Sequence, residues 1–416
     1  MTLPRLLAGL PEDGSPISLA DHEAIHGPPG ESGTGLIEAT ARAGLHGRGG
    51  ASFPTAVKLH SVSQERGPRA VLVNAAEGEP MSFKDRVLLA RAPHLVLDGA
   101  LAAAAAVGAD RIVVAVREDA SAARAAVTGA VAERGLRRRV KVRAVPVAYL
   151  AGQEGALIRH LDGGPLKPPA VPPLPYQRGL RGHPTLVQNP ETMAHLALID
   201  RHGAGWFREL GTERHPGSAL VTVTGAVRGP GVQEIACGTA LEEVIRTAGG
   251  TTEPLQAVLV GGFHGTWLPA DHGSITLDDE NLRRHGASLA AGVIVALGES
   301  ACPVQELAQT MAWLADQSAH QCGPCANGMP ALAGLMAALA AGRAPREYRQ
   351  RLKRWCAQVP GRGACHLPDG AVRFLSTGLA VFAEEVADHV AHGPCDACAG
   401  PVTLAVAVPR ARRRAA

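Results

Sequence analysis

The segment "HQCGPCANG" (320–328) sets Cys322 and Cys325 in a C-x-x-C spacing around Gly323 and Pro324. Two thiolates make half a metal site, since a closed zinc tetrahedron and an iron–sulfur cluster each take four ligands. A second C-x-x-C, Cys395 and Cys398, lies in "HGPCDACAG" (392–400). On spacing alone the two pairs would close a structural zinc site. Cys302 and Cys356 fall in helical stretches and Cys237 in a strand or turn, so these three read as core thiols. Cys365, in "GRGACHLPDGAV", reads by itself as either a buried thiol or a ligand.

A different chemistry is written earlier in the chain. "HGRGGASFP" (46–54) is neither an in-register G-x-G-x-x-G nor a P-loop, because no G-K-S/T follows. Its plain reading is a tight turn. The backbone N–H groups freed at Gly47, Gly49 and Gly50 can nevertheless approach an anion closely, and Arg48 and Lys58 add charge, which points to a phosphate-bearing ligand. "VNAAEGEPMSFKDR" (73–86) packs Asn74, Glu77, Glu79, Lys84, Asp85 and Arg86 just after a strand end. Open α/β sheets place their ligands there. "LAGQEGALIRHL" (150–161) repeats the arrangement with Gly152, Gln153 and Glu154, and "GHPTLVQNPETMAHL" (182–196) contributes Gln188 and Asn189.

The elements that would position these groups follow from periodicity. An apolar strand (69–78), a helix (93–108), a strand (111–118), an Ala-rich helix (120–133) and a strand (140–148) alternate in a way that predicts a partly parallel sheet flanked by helices. The Pro-rich connection 163–179 predicts extended, irregular chain. From 218 the pattern becomes strand, Gly-Pro turn, strand, helix, then more strands, a small α+β unit reaching about 295. Amphipathic stretches at 303–317, 328–341, 346–357 and 371–391 predict a bundle of four helices.

Composition narrows the function. Hydrophobic residues make up 46% of the 416 positions but aromatics only 3%, so the core rests on Ala, Val and Leu. The net charge is +3, and the basic excess sits in "RGLRRRVKVR" (134–143) and the terminal "PRARRRAA". No aromatics interleave these charges, which argues against nucleic acid. "LPRLLAGL" is too short for a signal peptide, and Asp98 interrupts the apolar run 97–109, so a cytosolic chain without membrane insertion is expected. In a reducing compartment eight cysteines suggest metal ligation rather than disulfides.

Taken together, "GRGGASFPTAVK", "NAAEGEPMSFKDR", "AYLAGQEGAL", "GHPTLVQNPETMAHL" and "CGPCANG" fall in the order and near the spacing of one family. The chain resembles the flavin- and NADH-binding iron–sulfur subunit of respiratory complex I, its 51-kDa component, over roughly residues 40–395. The resemblance implies a Rossmann-like α/β domain for flavin and nicotinamide nucleotide (1–215), a β-grasp domain of the soluble-ligand-binding type (216–297), a helical cluster domain (298–395) and a basic tail (396–416). It places the phosphate and ribityl chain of flavin mononucleotide (FMN) near Gly47, Arg48, Gly49, Gly50 and Lys58. Asn74, Glu77, Gly152, Gln153, Glu154, Gln188 and Asn189 would line the flavin. Phe53 would stack on NADH, and Glu77, Glu79 and Glu154 would meet its ribose and amide. No side chain is expected to react covalently. Cys322, Cys325 and Cys365 match three of the four ligands of a 4Fe-4S cluster, while the first position falls on Ala319. His320, the Cys395/Cys398 pair folding back, or no protein ligand, as in a 3Fe-4S cluster, are the three ways of filling that corner.

Other departures are specific. Ala76 stands where the family carries Asp, Gln153 where it carries Glu, and Gln188 where it carries Asn. Ser61 and Leu174 replace two aromatics that, with the first, sandwich the nicotinamide nucleotide. The function implied is electron transfer from NADH through FMN to a cluster and on to a ferredoxin-like or other iron–sulfur partner, in the cytoplasm or peripheral to the membrane through that partner. Two other readings remain: a redox-inactive structural or assembly paralogue with zinc or no metal, and a ferredoxin-linked flavoprotein that does not use NADH.

Overall fold

The computed structural model describes residues 3–169 and 171–404. The first layer is a sheet of four strands, β1 (Ala70–Ala75), β2 (Arg111–Arg117), β3 (Val140–Val145) and β4 (Thr185–Gln188). They pair in the order β3-β2-β1-β4, and every pairing is parallel. β1 and β4 are buried almost end to end, as near-continuous apolar strands covered on both faces must be. Around them run α1 (Leu19–His26), α2 (Gly35–Ala43), α3 (Thr55–Gln64), α4 (Lys84–Arg91), α5 (Pro93–Val107), α6 (Ser121–Glu133), α7 (Glu154–Leu161) and α8 (Pro190–Arg208), the last broken at Gly203. The Pro-rich segment 163–179 contains no helix or strand among the described residues.

α5 is the central helix. Pro93 starts it, and Gly108 at φ 66° closes it by donating its N–H to Ala104 and Ala105. Gly99 is required because any Cβ there would strike the Met193 carbonyl of α8. Asp98, which interrupts the apolar run, is buried and tied to His22 Nε2 (2.7 Å), Arg134 (2.6 Å) and Arg201. Among the described residues no single helix is long and apolar enough to cross a membrane.

The second sheet holds β5 (Ser218–Gly225), β6 (Gly231–Ala236), β7 (Leu255–Val260), β8 (Thr266–Pro269) and β9 (Val293–Gly298) in the order β6-β5-β9-β7-β8. Only β5 and β9 run parallel. α9 (Leu241–Thr247) and α10 (Asp279–Arg284) complete the β-grasp unit. Its two faces are read directly from alternation. Val258, Val260, Ile294 and Ala296 pack with Val244 of α9, whereas Ala257, Leu259, Val293 and Val295 pack with the C-terminal helices.

Those helices are α11 (Pro303–Asp316), α12 (Met329–Ala340), α13 (Tyr348–Gln358), α14 (Leu367–Val381) and α15 (Ala383–His392). The single last helix expected from 371 to 391 is therefore two. It starts earlier, at Leu367, and breaks at Phe382, whose ring is fully buried 5.2 Å from Trp267. Burying that ring turns the chain without any Gly or Pro to mark the bend. The terminal "PRARRRAA" lies outside the described residues.

Candidate flavin site and metal centres

The strand order reverses between β1 and β4. The chain steps outward from β1 through β2 to β3, then returns to the other side of β1. A crevice outside the carboxyl ends of these two strands is where such sheets bind ligands. β1 ends in Asn74–Ala75 and runs into Glu77–Glu79; β4 ends in Gln188, beside Asn189. The Gly-rich loop closes over the same edge. Gly47 donates its N–H to Phe53 (2.9 Å), and a Cβ on Gly49 would touch that of Asn189 at 3.3 Å. Gly78 lies so close to the Tyr149 carbonyl that no side chain fits.

Bare backbone at Gly47, Gly49, Gly78 and Gly152 thus packs closely around the ends of β1 and β4. Gln188 Nε2 is buried there and, among the described residues, has no hydrogen-bond partner. An orphaned donor of this kind costs about 1–3 kcal/mol unless a ligand accepts from it. This donor and the side-chain-free backbone beside it fit a flat, hydrogen-bonding, phosphate-bearing cofactor. Asn74 holds the rim, its Nδ2 donating to Gly152 O (2.8 Å), and Gln153 caps α7. Lys58 stands partly exposed, its Nζ pairing with Glu154 at 3.1 Å and donating to Val187 O at 3.5 Å at the end of β4.

Several expected contacts are engaged elsewhere. Arg48 is buried, with its guanidinium on His215 Nε2 (3.1 Å) and Ser218 O (3.0 Å), so it ties the first sheet to the second rather than waiting for phosphate. Asn189 caps α8 through Glu191 N, accepts from Lys84 and donates to Asp85. Glu77, at φ 35°, spends its carboxylate on Ser82, on the backbone N–H groups of Asp85 and Arg86, and on the Arg86 guanidinium.

Beneath the crevice lies a buried charge network that the sequence reading did not assemble. Glu191 meets Lys84 at 2.8 Å and Arg48 at 3.8 Å. Burial alone would raise its pKa, but Lys84, His195 and Arg48 pull the carboxyl down to about 2. Glu79 behaves in the opposite way. Burial pushes it up to about 7, against the backbone N–H bonds from Phe263 and Met81, and Glu77 adds to the rise. Phe83 was also missed: it is 47% exposed, with the Arg86 guanidinium 4.1 Å above its ring. Phe53 is 45% exposed, Leu174 43%, and Ser61 bonds to Val57 O on the exposed side of α3, so at these three positions only Phe53 offers a free ring.

The crevice connects to the metal-ligand loop through Tyr149. Its N–H donates to Gln317 (3.0 Å), its ring lies 4.8 Å from His264 and 5.7 Å from Trp313, and burial together with Glu79 and Cys365 raises its hydroxyl pKa. Cys322, Cys325 and Cys365 come together there. They lie near enough for their charges to interact: burial raises the Cys365 thiol, and Cys322 adds to the rise. Burial, with Cys322 adjacent, pushes the Cys325 thiol up to about 12. Three thiols of this loop fit three corners of a cluster. The corner at Ala319 brings no thiolate, and His320, next to it, is exposed at φ 49°.

Cys395 and Cys398 do not fold back to that corner, nor do they pair with Cys322 and Cys325. They face Cys302 and His389, with all four ligand atoms within 4.8 Å of one another. Cys302 is accordingly not an inert core thiol. Its partnership spans nearly a hundred residues and left no trace in local spacing; only the close sequence of His389, Cys395 and Cys398 was readable.

Such a crevice at a parallel-sheet switch point, joined to a thiol-rich helical domain, defines a flavin and iron–sulfur class of protein. Family models agree along the chain: the Nuo51 FMN-binding domain matches residues 40–198, the SLBB domain 220–262, and the NADH-ubiquinone oxidoreductase-F iron-sulfur binding region 305–389. The chain is 30% identical over 377 residues to the F 2 subunit of NADH-quinone oxidoreductase from Rhizobium meliloti, covering 86% of this chain and 90% of that one. It is 30% identical over 376 residues to the corresponding F subunit from Streptomyces coelicolor, covering 86% and 84%. The chain belongs to the family of NADH-quinone oxidoreductase F subunits. A crystal structure of an NAD+-reducing [NiFe]-hydrogenase in the air-oxidized state superposes with a TM-score of 0.79 at 34% identity, over 84% of this chain and 62% of the hydrogenase chain. The chain thus spans under two thirds of that neighbour.

Proposed function

We propose that the chain oxidises NADH at bound FMN and passes the electrons singly to an iron–sulfur cluster on Cys322, Cys325 and Cys365, then to a separate iron–sulfur partner protein. The observation that carries this reading is the unpaired Gln188 Nε2 in a glycine-lined crevice at the β1/β4 switch point, linked by Tyr149 to the three-thiol loop. FMN, when bound, supplies the conversion from two-electron to one-electron chemistry. The protein's share is position and electrostatics. Gly49 and Gly50 offer backbone N–H groups to the phosphate and Lys58 a cation, with the Gly47 N–H spent on Phe53, while Gln188 donates to the ring and Asn74 fixes the Gly152 rim. Phe53 presents its ring to the nicotinamide nucleotide. Glu154 and the backbone around Glu77 remain for the ribose and amide, whereas Glu79 is buried and holds the N–H groups of Met81 and Phe263. Glu79 carries its proton up to about pH 7, which keeps a second negative charge from facing Glu77. Attachment to a membrane, in this reading, is through the partner on the cytoplasmic side.

The test is anaerobic mixing of the purified, FMN-loaded protein with NADH. Bleaching of the flavin bands is the expected result. A chain that takes up no flavin belongs to the structural reading; one that binds FMN but is bleached only by reduced ferredoxin does not use NADH.

A further inference from the structure

The four residues that close around one another at the chain's C-terminal end are not the cluster site. Cys302, Cys395 and Cys398 all lie outside the span 305–389 matched by the iron–sulfur binding region. Cys302 Sγ is 3.3 Å from Cys398 Sγ, which is 3.7 Å from Cys395 Sγ. His389 Nε2 is 3.6 Å from Cys302 Sγ and 3.4 Å from Cys398 Sγ. Around zinc, bonds of about 2.3 Å to sulfur and about 2.0–2.1 Å to nitrogen give tetrahedral edges of about 3.8 Å (S···S) and about 3.6 Å (S···N). The separations of 3.7, 3.6 and 3.4 Å lie within about 0.2 Å of those edges, and the Cys302–Cys398 separation of 3.3 Å would open by about 0.5 Å around the ion. A cubane puts each thiolate on a different iron and spreads the set further apart.

We propose that Cys302, His389, Cys395 and Cys398 bind one zinc ion in a closed, structural Cys3His site, distinct from the redox centre at Cys322, Cys325 and Cys365.

Local structure presents each ligand for this. Cys302 is the N-cap of α11, its sulfur already accepting the Gln305 N–H at 3.4 Å. His389 sits in the last turn of α15, buried, and its Nε2 faces the Cys395 N–H at 3.3 Å. Accepting that bond makes Nε2 the unprotonated ring nitrogen, and a metal ion would take its lone pair in place of the Cys395 N–H. Gly393, at φ 88°, ends the helix and reverses the chain so that Cys395 and Cys398 come back on a single turn, Asp396–Ala399. Beyond it the buried Glu306 of α11 accepts the N–H groups of Thr403 (2.5 Å) and Leu404 (2.9 Å). One ion would thus staple 393–404 to the start of α11 and close the bundle. Four protein ligands leave no open position for substrate, which is the mark of a structural site.

The experiment is elemental analysis of the full-length holoprotein and of Cys395→Ser and Cys398→Ser. Cys395 is exposed, so its variant keeps the packed core intact. About one zinc per chain is expected in the wild type, falling about tenfold or more in either variant while iron and flavin stay constant. Cobalt exchanged into the wild type should show tetrahedral d–d bands with thiolate charge transfer, absent in Cys398→Ser. The proposal is overturned by wild-type protein without zinc that takes up no cobalt, or by a disulfide among these cysteines. It is equally overturned if iron rather than zinc falls in the two variants, since the four residues would then be cluster ligands.

Discussion

Glu79→Gln should change how stability depends on pH. The Glu79 carboxyl bridges the loop after β1 to the β-grasp unit, accepting N–H bonds from Met81 (3.3 Å) and Phe263 (2.9 Å) while buried. Burial raises its pKa from 4.5 to about 7, so the folded chain keeps a proton that the unfolded chain has already released. The associated stability is fully present below the unfolded pKa and is lost as pH rises through about 7. The gap of roughly 2.5 units, at 1.36 kcal/mol each, makes the loss about 3 kcal/mol at most. Glutamine cannot titrate. Its amide leaves one of the two N–H donors without an acceptor, a penalty that is constant with pH. Urea denaturation of both proteins at pH 5, 6, 7 and 8 should therefore show the variant gaining about 2–3 kcal/mol relative to wild type across the series, whatever the offset at pH 5. Parallel curves would refute the assignment of a retained proton to Glu79.

Three further outcomes follow from the geometry. Glu191→Gln leaves Lys84 and Arg48 short of a buried countercharge and should cost about 3 kcal/mol in denaturation, much more than the partly exposed Glu154→Gln. Ser61→Phe combined with Leu174→Phe should supply two stacking surfaces in addition to Phe53, each worth about 0.5–1.5 kcal/mol, and tighten NADH by roughly one to two orders of magnitude in stopped-flow titrations of flavin reduction; unchanged saturation would mean that Phe83 already serves the ring. Ala319→Cys should raise iron content and stabilise a four-iron signal, whereas Cys322→Ser should abolish the cluster; a spectrum unaltered by Ala319→Cys would show that residue 319 does not face the cluster.

The flavin domain was legible because its information is local. Contiguous Val- and Ala-rich runs bounded by Gly and charged loops mark β1 to β3, and the motif-bearing segments after β1 and β4 meet because the strand order reverses there. The break at Phe382 was invisible because the bend is made by burying a ring against Trp267 rather than by a residue that cannot continue a helix. The destination of Arg48 was equally hidden: its partners, His215 and Ser218, lie 167 and 170 residues away. Cys302 read as a core thiol because a lone cysteine at a helix start carries no spacing signal, and its neighbours arrive only when α15 folds across α11.

The central claim is that one chain carries electrons from NADH through flavin to iron. Its direct test is electron paramagnetic resonance of the anaerobic, FMN- and iron-loaded protein, frozen after titration with NADH. The account predicts a reduced iron–sulfur signal that grows as the flavin bands bleach and is missing in Cys322→Ser. A bleached flavin with no iron signal, in protein whose iron is reducible by dithionite, would contradict it.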